Sequence, residues 1–95
     1  MIVGACKFTL ELSAVFNLKE KRSVVSSIKQ KIMNTFKVFV SEVEALEDLN
    51  TAVLGFALAG NDANFIRDLI DKITNYIEEH EGIKITYDKV EVLQF

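Results

Sequence analysis

The chain has no proline and no tryptophan, one cysteine, one histidine and four glycines in 95 residues. Each scarcity excludes something. Cys6 alone cannot close an internal disulfide, and Cys6 with His80 falls short of the four ligands of a structural zinc site. Gly55 and Gly60 do not make a phosphate-cradling loop, because neither the glycine-rich spacing nor the following lysine is present. The few aromatics fall mostly on core-phased positions, so the paired stacking aromatics of an RNA-recognition sheet are missing. No apolar stretch approaches the roughly 20 residues of a membrane span, and no basic segment precedes an apolar run at the N-terminus. The expectation is a cytoplasmic protein. No proline, repeat or biased tract marks a linker, so residues 1–95 read as one domain, which at this size buries about 65 per cent of its unfolded surface.

What is present is a regular change of hydrophobic period. Ile2 to Leu12 alternates, with Ile2, Cys6, Phe8, Leu10 and Leu12 on one face and Lys7, Thr9 and Glu11 on the other. Leu18, Val25, Ile28, Ile32 and Phe36 recur at helical spacing, predicting a helix over 18–35. Val38 to Val43 reads as a second strand whose parity slips near Ser41 and Glu42, the signature of a bulge. Thr51 to Ala59 is a third strand, joined to the second by an acidic turn. Asn61 or Asp62 caps a second helix with its stripe at Ile66, Leu69, Ile70, Ile73 and Ile77, and Gly82 ends it. Ile83 to Phe95 is a last strand, with a change of parity near Asp88 and Lys89.

Strand, helix, strand, strand, helix, strand is the order of the α+β, ferredoxin-like split βαβ sandwich: a four-stranded antiparallel sheet with two helices on one face. The first and third strands are then central. Their other face would present Val3, Ala5, Val53 and Ala57, with Gly55 and Ala59, as a small-residue apolar surface open to docking, most economically to a second copy of the chain.

Charge is unevenly placed. The net charge is -3, yet residues 1–40 hold seven cations against Glu11 and Glu20, while residues 41–95 hold four cations against twelve acids. Three of the cations, Lys19, Lys21 and Arg22, stand in about the first turn of the first helix, where the helix dipole disfavours each by about 0.3–1 kcal/mol. An arriving phosphate would meet the cations and the free N–H groups together. Lys19, Arg22, Ser26 and Lys29 fall on one side of the helix, while Lys21 projects near the apolar stripe with its ammonium expected to reach water. The plainer reading is a solvated helix face.

The segments Met1-Ile2-Val3-Gly4, Asn17-Leu18-Lys19-Glu20-Lys21-Arg22, Phe36 through Val43, and Leu54-Gly55-Phe56-Ala57-Leu58 running to Asn61-Asp62 carry a resemblance to the YlxP-like family of small bacterial proteins. That resemblance implies a ferredoxin-like fold and a domain of unknown function. Members are often encoded beside translation and ribosome-maturation genes, which implies structured RNA or ribosomal particles as partners. Leu49-Asn50-Thr51 departs from the tryptophan and arginine common in that family before the third strand, so no role of this loop carries over.

Other residues have quieter explanations. Cys6 is a small buried hydrophobe rather than a nucleophile, and His80 suits a helix C-terminus. Glu42 and Glu44 read as solvated edge charges sharing a face. No catalytic set, cofactor motif or metal set emerges. The expected functions are therefore non-enzymatic: RNA or ribosome docking through Lys19, Lys21, Arg22 and Lys29, or self-association through Val3, Ala5, Val53 and Ala57.

Overall fold

The computed structural model describes residues 1–95. Its elements are β1 (Ile2–Leu12), α1 (Leu18–Phe36), β2 (Ser41–Glu44), β3 (Thr51–Gly60), α2 (Ala63–Glu78) and β4 (Ile83–Gln94). All pairings are antiparallel and the sheet order is β2-β3-β1-β4, so the arrangement is an α+β βαββαβ sandwich with β1 and β3 central.

The period-2 pattern of β1 decides the layering. Phe8, Leu10 and Leu12 are buried against Leu54 and Ala52 of β3 and the stripes Val25-Ile28-Ile32 of α1 and Ile66-Ile70-Ile73-Ile77 of α2. Phe8 and Phe56 meet edge to face, with centroids 5.6 Å apart. α2 rests close on the sheet at Gly4, where a β-carbon would stand 2.7 Å from Ile66 Cγ2. No helix is long and apolar enough to cross a membrane.

Two boundaries and two bulges differ from the sequence reading. β2 starts at Ser41, not Val38: Lys37, with φ 58°, turns the chain out of α1, and Val38 and Val40 then pack on the core without ladder partners. Alternation reports burial, and here burial extends beyond hydrogen bonding. The bulge of β2 lies at Val43, since Glu42 pairs Leu54 and Glu44 pairs Val53. Glu42 and Glu44 consequently face opposite sides of the sheet, which corrects their assignment to one face.

The bulge of β4 lies at Thr86 rather than near Asp88, because Leu10 pairs Ile85 while Thr9 pairs Tyr87. Tyr87 is turned outward and Asp88 takes the helix-side parity opposite Phe8. A tyrosine two residues after Ile85 reads as core by period, and a carboxylate at a sheet edge remains solvated on either face. α2 is capped by Asp62, whose carboxylate accepts from Asn64 N–H at 2.9 Å, but ends at Glu78, before Gly82. Gly82, with φ 82°, instead makes the turn into β4.

Candidate docking surfaces on the first helix and the open sheet

The start of α1 is closed by its own side chains. Asn17 Oδ1 accepts from Glu20 N–H at 2.9 Å, and Glu20 reaches back, its Oε2 accepting from Phe16 N–H at 3.1 Å and its Oε1 from Asn17 Nδ2 at 3.2 Å. This reciprocal cap places a carboxylate at the positive end of the helix and offsets the cations beside it.

Those cations separate into two kinds. Lys19 and Arg22 are exposed, Lys29 is half-buried, and none of the three takes part in an ion pair. Lys21 is 1% exposed. Its Nζ donates to the Ala45 carbonyl and lies 3.3 Å from Glu42 Oε2, a carboxylate that has no directional hydrogen bond of its own. The expectation that Lys21 contacts an external anion is therefore corrected: its ammonium does not reach water and is already satisfied. The signal was in the spacing, because Lys21 continues the Val25, Ile28 and Ile32 series back by one turn.

Ala45 explains why a buried cation is wanted there. With φ 59° it holds the left-handed conformation at the end of β2, and its carbonyl also accepts from Asp48 N–H at 3.1 Å. Lys21 thus ties α1 to the β2–β3 turn from beneath.

The open face of the sheet is ordered in rows by the register. Val3 lies between Ala59 and Leu93, Ala5 between Ala57 and Glu91, Lys7 between Gly55 and Lys89, and Thr9 between Val53 and Tyr87. Ala5, Ala57, Ala59 and Leu93 are exposed and Val3 is half-buried. Val53 is only 4% exposed although it lies on this face. The Lys7 ammonium bonds Glu44 Oε1 at 2.9 Å, spanning β3 from β1 to β2, and Val43 leans over Gly55. Val53 is thus covered within the chain, and the candidate apolar surface contracts to Val3, Ala5 and Ala57 with Ala59 and Leu93.

The Glu44 carboxylate holds Lys7 above its ordinary pKa by hydrogen bond and charge. Beside this bridge is a depression of about 280 Å³ lined by Ala5, Cys6, Lys7, Phe56, Lys89 and Glu91. Lys7, Lys89 and Glu91 give the face more charge than the small residues alone imply.

Burial, reinforced by the Asp88 carboxylate, pushes the Cys6 thiol up to about 11, so it stays protonated and unreactive at neutral pH. His80 is half-buried, its Nδ1 2.8 Å from the Tyr76 carbonyl. A groove of about 420 Å³ between α1 and the start of β4 has Ser23, Ser27, Lys31 and His80 on its walls. No group of three or more His, Cys, Asp or Glu side chains is placed to hold a metal ion.

The family model of DUF503, proteins of unknown function, matches residues 3–89. The chain belongs to this family. The DUF503 match includes both helices, the whole of β2 and β3, and every α1 and sheet-face residue singled out from the sequence. No curated protein matches the chain.

Proposed function

We propose that this DUF503 protein is a non-enzymatic accessory factor that docks on structured RNA or ribosomal particles through phosphate contacts from Lys19, Arg22 and Lys29. The supporting observation is that these cations, on one side of α1 with Ser26 among them, have no intramolecular ion pair in a chain that carries 14 acids. Cations left unpaired amid such an excess of acid are available to an external anion. The resemblance of its sequence segments to YlxP-like bacterial proteins, with their translation-gene neighbourhoods, accords with such a partner. Lys21 has no part in this contact.

Three neutralised phosphates give a fall of log affinity with log salt of slope about 2–3. Sedimentation of the protein with ribosomal subunits across a salt series tests this. Lys19→Ala with Arg22→Ala and Lys29→Ala should lose binding and flatten the slope, with Lys21 retained so that the fold is kept. Wild-type binding by that triple variant would refute the proposal.

A second reading, self-association, rests on a different observation. The open sheet face exposes Ala5, Ala57, Ala59 and Leu93, an apolar strip that a second copy would cover. Ala57→Glu is the check, since a charge there dissolves any dimer sealed by this face.

A further inference from the structure

We infer that the chain pairs with a second copy of itself along the free edge of β4, centred on Val90, to form one eight-stranded antiparallel sheet. This rests on the self-association reading and moves the seam from the open face to the sheet edge.

The two edges of the sheet differ as templates. β2 offers four residues, is bulged at Val43 and has Glu42 drawn to Lys21. β4 offers twelve residues, none of them proline, paired to β1 on one side and to no strand on the other. Unpaired N–H and C=O groups along such an edge are a template for another strand. Charged residues on an edge normally discourage that pairing. The question is whether these charges oppose or favour a second copy.

A two-fold axis answers it register by register. Antiparallel pairing across such an axis sets residues equidistant from the centre opposite one another and on the same face. Centring on Asp88, Lys89 or Glu91 sets that charge against its own copy. Centring on Tyr87, with Thr86 as the bulged residue, sets Lys84 opposite Lys89.

Centring on Val90 is different. It places Lys89 opposite Glu91 twice and Tyr87 opposite Leu93 twice on the open face, with Val90 opposite Val90 and Asp88 opposite Val92 on the helix side. Tyr87, Val90 and Leu93 are all exposed in the single chain. Within the chain Lys89 and Glu91 approach no closer than 3.9 Å, which leaves both open to a better partner.

The surroundings of Val90 fit the same axis. A groove of about 340 Å³ runs between α2 and β4 there, lined by Arg67, Ile70, Asp71, Thr74, Asp88 and Val90. Arg67 and Asp71 are opposite charges four residues apart on α2, and a two-fold through Val90 turns the two α2 helices towards each other across the seam.

Sedimentation equilibrium over a wide concentration range tests the pairing on the intact chain. The wild type should dimerise; Lys89→Glu and Glu91→Lys should each weaken the dimer about tenfold, and the two together should restore it by rebuilding opposite charges across the seam. Val90→Cys should oxidise to a covalent dimer, because only this register brings residue 90 against its own copy, while buried Cys6 leaves the wild type uncrosslinked. Circular dichroism confirms that each variant is folded. A monomer at every concentration overturns both the self-association reading and this seam. A dimer dissolved by Ala57→Glu, indifferent to the charge exchanges and without the Val90→Cys crosslink, overturns the β4 seam and leaves the open face.

Discussion

Lys21→Met removes a buried ammonium while keeping an unbranched apolar stem in its place. It leaves Glu42 Oε2 without the cation 3.3 Å away and takes one of two donors from the Ala45 carbonyl. Breaking a fully buried pair costs about 3–5 kcal/mol. The Glu42 side chain is 15% exposed, so water recovers part of that, and a loss of about 2–3 kcal/mol is expected. In a domain of this size that lowers the melting temperature by about 8–20 °C.

Urea unfolding followed by circular dichroism measures the loss directly. Adding Glu42→Gln to Lys21→Met removes the stranded charge and should return at least about 1 kcal/mol, a coupling that two independent surface residues would not show. Lys19→Ala is the internal control, because an exposed cation near a helix start is expected to cost nothing on removal and to return up to about 1 kcal/mol. If Lys21→Met unfolds within about 0.5 kcal/mol of wild type, the buried tie between α1 and the β2–β3 turn is refuted.

Gly4→Ala should cost about 1–3 kcal/mol, because its methyl would enter the space of Ile66 Cγ2 and Ile70 Cδ1 under α2, and thermal melts report it. Native thiol titration should leave Cys6 unmodified for as long as the chain is folded, whereas modification at the denatured rate would contradict its burial. Because the native thiol ionises only near 11 and an unfolded one near 9, the denatured chain loses a proton that the native chain keeps. Stability should then fall as pH rises from about 9 to 11, and Cys6→Ala should show a shallower fall over that window in denaturant titrations.

Several features of the fold were legible because they depend on local period. The alternation in β1, the stripes of α1 and α2 and the cap at Asp62 each follow from residues within one element, and the order of the elements then leaves few topologies for a short chain. Positions set by contact between elements were not legible. Val38 and Val40 alternate as a strand would but find no ladder partner, and Tyr87 keeps step with Ile85 in sequence while Thr86 bulges between them.

The candidate surfaces divide in the same way. Which residues are cationic, small or apolar, and which share a side of α1 or a face of the unbulged β1, was determined by the sequence alone, since chemistry and backbone period are properties of the chain, whereas the bulges at Val43 and Thr86 reassigned faces in β2 and β4. Which of them remain free was decided only by tertiary structure. Lys21 and Arg22 are neighbours of the same charge, yet one ends under Ala45 and Glu42 and the other in water, because a helix turns about 100° per residue and only one of those directions faces β2. Val53 and Ala57 share a face, yet the Lys7–Glu44 bridge from two other strands crosses the sheet at Val53 and leaves Ala57 open. Both outcomes depend on partners 20 to 40 residues distant in the chain, and distance along a chain carries no record of who meets whom until the sheet has closed the intervening loops.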